Sequence, residues 1–89
     1  MPTNKTQSID RAIAILDYFS VDHPEAGVRE IARHLHLHPS TVGRMLATLT
    51  SLDILIQDDA SHRYKMGSKV LNCGAVYLGN LNLQNVARP

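Results

Sequence analysis

The chain of 89 residues has no tryptophan, a single cysteine and a single phenylalanine. Each scarcity removes a class of protein. One thiol cannot close an internal disulfide, which fits a reducing compartment. Only three tyrosines accompany the phenylalanine, so there is no aromatic platform for stacking unpaired bases, and RNA is a poor partner. No apolar run approaches the roughly 18 residues that span a bilayer. Met1 to Gln7 is polar, so no secretory leader is expected and this stretch should be a flexible tail. There is no glycine-rich phosphate loop and no serine elbow. Asp58 and Asp59 are adjacent in a turn-like cluster rather than spaced as an acid/base pair, so the chain is not expected to be an enzyme. The formal net charge is only +1, short of the strongly basic signature of a nucleic-acid binder. The length suits one domain, which at this size buries only about 60% of its unfolded surface.

The charge total conceals a pattern. Residues 1–27 are net acidic, through Asp10, Asp17, Asp22 and Glu25 against Lys5 and Arg11. Residues 28–52 are net basic, through Arg29, Arg33 and Arg44 against Glu30. Asp53, Asp58 and Asp59 make 53–62 acidic, and Arg63, Lys65, Lys69 and Arg88 follow with no acid. The basic charge therefore falls on two separate segments.

Apolar spacing places the elements. Ser8 can cap a first helix with Asp10 in its first turn; Ile9, Ile13 and Leu16 form its stripe, flanked by Ala12, Ile15 and Phe19. It should end near Ser20, before a turn-like stretch, Val21 to Gly27. Val28, Ile31, Ala32 and Leu35 define one face of a short second helix. After His36-Leu37-His38, with Leu37 plugging the corner, Pro39 suits the first position of a third helix. Val42, Met45, Leu46, Leu49 and Leu52 are its expected buried stripe. Ile54–Ile56 and Arg63–Met66, separated by the turn cluster Asp58–Ser61, predict a β-hairpin. Gly67-Ser68 can cap a further helix that carries apolar residues on two faces, Leu71, Ala75 and Leu78 on one and Val70, Cys73 and Tyr77 on the other. So small a chain cannot surround such a helix, so a contact with a second chain is expected. After Gly79 the pattern weakens, and 82–86 reads as the start of another helix.

This order is mainly α with a small β-hairpin, the layout of a winged helix-turn-helix followed by a linker helix. Opposite its buried stripe, the third helix presents Ser40, Thr41, Gly43, Arg44, Ala47 and Thr48, all small except Arg44. A slim helix enters a major groove about 12 Å wide with its N-terminal residues toward the base edges. Hydroxyls there can bond phosphates or bases, helped by the helix dipole, and Arg44 can read guanine. His62, Arg63 and Lys65 on the hairpin would lie over flanking backbone or minor groove.

Ser8–Leu16, Arg29–Arg33, Pro39–Leu49 and Arg63–Gly67 resemble the N-terminal domain of the IclR (isocitrate lyase regulator) family of bacterial transcription regulators. The resemblance implies a dimeric, sequence-specific binder of double-stranded DNA in the cytoplasm, acting on a symmetric operator. It divides the chain into a tail (1–7), a DNA-binding domain (8–67), a linker and dimerisation helix (68–81), and the start of an absent C-terminal domain that would bind a small-molecule effector (82–89). The recognition helix maps to 39–52 and the family's wing to Ser61–Lys65, within the hairpin wing 54–66. The DNA-binding residues so implied are Arg29, Pro39, Ser40, Thr41, Gly43, Arg44, Thr48, His62, Arg63 and Lys65. The subunit-joining residues are Val70, Leu71, Cys73, Ala75, Tyr77 and Leu78.

Two departures from the family pattern concern glycine. The family usually has glycine where this chain has His36 and Asp53, and His and Asp tolerate a left-handed backbone at a cost of about 1 kcal/mol. Gly43 goes the other way, either as room for close approach to DNA or as drift. His34, His36 and His38 invite a metal reading, with His62 and Cys73 as further ligands. The run crosses a helix end, so the rings should point apart, and no metal or other cofactor is expected. Cys73 is expected to pack as an inert thiol. The rival reading from another class is a winged helix serving only protein interaction or dimerisation.

Overall fold

The computed structural model describes residues 6–86, with side chains described as far as Leu81. Residues 1–5 of the expected tail and 87–89 of the expected second domain lie outside it. The elements are α1 (Gln7–Tyr18), β1 (Glu25–Ala26), α2 (Val28–Leu35), α3 (Pro39–Ser51), β2 (Leu55–Gln57), β3 (Tyr64–Met66) and α4 (Ser68–Val86).

α1 begins earlier than Ser8 suggests. Thr6 occupies the cap position with extended backbone and no side-chain cap bond, so Gln7 is helical rather than tail. The buried face also differs. Ile15 and Phe19 are buried, with Ala12 and Leu16 packed beside them, while Ile9 and Ile13 remain 61% and 51% exposed. The reason lies in packing rather than spacing. Ala12, Ile15, Leu16 and Phe19 form an i, i+3, i+4, i+7 set, but so do Ile9, Ala12, Ile13 and Leu16, and only Ile15 and Phe19 enter the core.

α2 follows its sequence pattern, with Ile31 and Ala32 buried and Val28 and Leu35 against the core. Its first turn is secured by Glu30, whose Oε1 accepts the Gly27 N–H at 3.2 Å. At its end His36 is left-handed (φ 59°), and the Leu37 N–H returns to the Ala32 carbonyl at 3.0 Å. Leu37 then packs on the core from the corner. Because His36 carries a Cβ in a conformation glycine adopts freely, His36→Gly is expected to stabilise the domain by up to about 1 kcal/mol. A urea midpoint unchanged or lowered in that variant would refute this.

α3 buries Val42, Leu46 and Leu49, with Met45 at the margin. Leu52, expected in this stripe, is 54% exposed, because the helix ends at Ser51 and Leu52 is already its cap. Asp53 then turns the chain with φ 64°.

The wing is larger than a hairpin. β2 and β3 pair antiparallel (Leu55 with Met66, Ile56 with Lys65, Gln57 with Tyr64), and β1 joins the other edge of β3, giving the order β1-β3-β2. Glu25–Ala26 falls in the stretch that the sequence marks as turn-like, since two residues are too few to show alternation. Tertiary pairing defines them: Glu25 lies opposite Lys65, and Ala26, fully buried, opposite Tyr64. The hairpin turn places Asp58 Oδ2 2.8 Å from the Ser61 N–H, and His62 takes a third left-handed conformation (φ 63°). This N–H bond, with the Ser61 hydroxyl, holds the Asp58 carboxyl below its usual pKa.

α4 is one helix of 19 residues, about 28 Å long, running through Gly79 where the sequence pattern weakens. Leu71, Tyr77 and Leu78 on it are 72%, 64% and 56% exposed. Cys73 is exposed as well, so within one chain it is not the packed thiol expected.

Candidate nucleic-acid interface

The N-terminus of α3 is organised by His38. Its Nδ1 accepts the Ser40 N–H at 3.1 Å and lies 2.8 Å from Ser40 Oγ. The imidazole thus fills the capping role usually taken by an oxygen. Thr48 Oγ1 donates to the Arg44 carbonyl at 3.1 Å.

Pro39, Ser40, Arg44, Ala47 and Thr48 are exposed, and Thr41 and Gly43 are half-buried. Among the described residues Arg44 makes no ion pair. A Cβ added at Gly43 would meet only Val28 Cγ1, at 4.0 Å. Among the described residues nothing therefore requires glycine at this position, although glycine there costs about 1 kcal/mol relative to alanine.

The basic side chains do not form one patch. Arg29, His62 and Arg63 meet around a notch between the start of α2 and the hairpin turn. Arg33 and Ser61 line the same notch; Ser61 begins the wing that the resemblance implies, while Arg33 is absent from the site residues read in the sequence. Arg33 belongs to the Arg29–Arg33 stretch, and the signal that would add it is its position one helical turn after Arg29. Lys65 lies elsewhere, exposed beside a shallow pocket with Phe19, Val21 and Pro24.

Arg63 is placed differently from the others. Its Nη2 donates to the Glu25 carbonyl at 3.0 Å and lies 3.3 Å from Glu30 Oε1, and its Nε lies 3.7 Å from Glu25 Oε1. Glu30 also accepts the Tyr18 hydroxyl, through Oε2 at 2.7 Å. That bond, with the Gly27 N–H and Arg63, holds the Glu30 carboxyl below its usual pKa against the opposing pull of burial, and the same bond raises the Tyr18 pKa. A lowered folded pKa adds stability above the ordinary carboxylate range and loses it as pH falls through the lowered value. Wild type should therefore exceed Tyr18→Phe in urea midpoint at pH 7, and the gap should narrow by pH 3. An equally wide gap at both pH values would show that Glu30 ionisation is not its source.

The three clustered histidines have separate tasks. His34 packs against Tyr18 with ring centroids 4.9 Å apart and the planes tilted by 59°, His36 ends α2, and His38 caps α3. Among the described residues no three His, Cys, Asp or Glu converge as metal ligands, and no helix is long and apolar enough to cross a membrane.

Two helices meet at a tight turn, the second slim on its outer face, and a three-stranded wing follows; the sequence of the helical part and the first hairpin strand matches a family model. The model is that of the IclR helix-turn-helix domain, and it covers residues 8–59. The chain belongs to the IclR family. It is 35% identical over 83 residues to the HTH-type transcriptional repressor AllR of Escherichia coli K12, covering 93% of this chain and 31% of that protein. The crystal structure of an IclR family transcriptional regulator from Brucella abortus superposes with a TM-score of 0.84 at 32% identity, over 96% of this chain and 32% of that one. The regulator from Alicyclobacillus acidocaldarius gives a TM-score of 0.76 at 28% identity, over 80% and 29%. This chain thus spans about a third of the length of these IclR relatives. They are transcription regulators, not enzymes, and an IclR helix-turn-helix domain is a DNA-binding module of transcription regulation.

Proposed function

We propose that this IclR domain reads a specific sequence in double-stranded DNA, with α3 in the major groove and the wing over flanking backbone or minor groove. The observation that carries this is the outer face of α3. Pro39, Ser40, Arg44, Ala47 and Thr48 on it are exposed, Arg44 makes no ion pair among the described residues, and the half-buried Gly43 has space for a Cβ beside Val28. A helix kept thin at a cost to its own stability needs a partner that approaches closely, and a groove is such a partner. Thr41, Gly43 and Arg44 face bases; Pro39, Ser40 and Thr48 border them; Arg29 and His62 at the notch, and Lys65 on the wing, take phosphates.

Two copies join through α4, along Val70, Leu71, Cys73, Ala75, Tyr77 and Leu78, so the operator has two-fold or pseudo-two-fold symmetry. Val76, also exposed, extends that surface. The exposed apolar residues of α4 support this assembly, and a second copy would cover Cys73. Control by a small-molecule effector belongs to the part of the longer relatives that this chain does not span, and the cytoplasm is the compartment that goes with this role.

Selection of bound sites from a random duplex pool, at two salt concentrations, tests the proposal. Enriched inverted repeats at both would support it. Binding that tracks salt without enrichment, or no binding, would favour an interaction module. Gly43→Ala sharpens the test: it should raise the urea midpoint of the free domain, by about 1 kcal/mol in stability, while weakening specific DNA binding. A variant that gains stability and keeps full affinity would remove the close-approach role of Gly43.

A further inference from the structure

The guanidinium of Arg63 sits where three elements converge. It bonds the backbone of β1 at Glu25 and faces the carboxylate of Glu30 on α2. Through Glu30 it is connected to the Gly27 N–H before α2 and to the Tyr18 hydroxyl at the end of α1. Arg63 itself is the last residue before β3, at the root of the wing. Nη2 meets both the Glu25 carbonyl and Glu30 Oε1 while Nε faces the Glu25 carboxylate, and the rigid plane that fixes Nη2 relative to Nε is what a single ammonium nitrogen lacks. Because both carboxylates and the guanidinium are partly exposed, the pairs add little to global stability, so their effect lies in the angle they fix.

We propose that Arg63 is a positioning residue for DNA binding rather than a phosphate contact: it fixes the wing against β1 and the start of α2, and so sets where Lys65 and His62 meet the duplex. This rests on the DNA-binding reading above. It also makes Glu30, an acid beside the notch that holds Arg29, a contributor to DNA affinity. Removing a negative charge near DNA ordinarily strengthens binding. Removing this one should weaken it, because the wing loses its anchor.

The test compares Arg63→Gln, Arg63→Lys, Glu30→Gln and the Arg63→Gln/Glu30→Gln double variant in the full chain. Binding to the selected duplex is measured across a salt series, with circular dichroism confirming the fold. Each single variant should bind about three- to tenfold more weakly, the double variant should be no worse than either, and the salt slope should stay at the wild-type value. Lys65→Ala, a phosphate contact, should instead reduce the slope by about 0.9. Arg63→Gln reducing the slope as Lys65→Ala does, together with tighter binding by Glu30→Gln, would make Arg63 a direct contact and overturn the proposal. Full affinity in all three single variants would overturn it too, as would rescue by Arg63→Lys. If wild type binds no duplex, the DNA-binding reading fails by itself, and the anchor is then read by hydrogen exchange. Faster exchange of the Tyr64 and Met66 amides in Arg63→Gln supports it, and unchanged exchange overturns it.

Discussion

Gly67→Ala should lower the thermal midpoint by about 10–20 °C, the largest stability effect expected of any single methyl group in this domain. Gly67 is buried where the chain leaving β3 crosses the chain leaving α3. A Cβ there would lie 2.4 Å from the Asp53 carbonyl oxygen, 3.0 Å from its carbon and 3.1 Å from the carbonyl carbon of Ile54. These are backbone atoms, so no side chain can rotate away. Nor can the backbone slide easily. The Gly67 N–H bonds the Ile54 carbonyl at 2.7 Å, the Lys69 N–H bonds the Asp53 carbonyl at 3.0 Å, and Asp53 is already left-handed. Overpacking a site of this kind costs about 2–3 kcal/mol, and each kcal/mol moves the midpoint of a domain this size by about 4–8 °C. A melt followed by circular dichroism measures it. A midpoint within 2 °C of wild type would mean that the crossing is loose. Because this crossing joins the wing to α4, loosening it should also disturb whatever α4 docks against.

The Gly67 crossing shows where sequence reading stops. Gly67-Ser68 was legible as a break before a helix, and a helix does begin at Ser68. The need for glycine was not legible, because it comes from Asp53, fourteen positions earlier, and only the fold brings the two together. Local signals carried most of the rest. The α2 face, proline at the start of α3 and the turn at Asp58 each follow from a few neighbouring residues, while the left-handed His36 and Asp53 follow from the resemblance, which puts glycine there. What failed was non-local. β1 exists because Ala26 pairs with Tyr64. The exposed Ile9 and the buried Ile15 were both apolar at helical spacing, and only packing against α2 separates them. The same holds for the site. Arg44 and the slim face could be read from periodicity, but the difference between Arg63 and Lys65 could not. Two cations two residues apart on a wing look equivalent until Glu25 and Glu30 are found beside one of them.

Arg44→Ala is expected to have the largest effect on function, weakening specific DNA binding by about 1–3 kcal/mol, or roughly 5- to 150-fold, and relaxing one base position. The size follows from its setting. Arg44 projects from the second turn of α3, next to Gly43 and one helical turn beyond Thr41, with its guanidinium uncommitted among the described residues. An arginine already held by carboxylates would exchange one partner for another on binding, and the net gain would be small. A free fork gains both hydrogen bonds to guanine O6 and N7. Its stem is also braced, since Arg44 lines an apolar groove with Ile9, Ala12 and Met45, where its methylenes can lie. Arg44→Lys should therefore recover little, because an ammonium cannot make the two-pronged contact. Gel shifts on the selected operator and on unrelated duplex separate the possibilities. Loss on the operator alone identifies a base reader, and equal loss on both, as expected for Lys65→Ala, identifies a phosphate contact. No loss on either would mean that α3 does not enter the groove, and the rival reading of the domain as an interaction module would then take precedence.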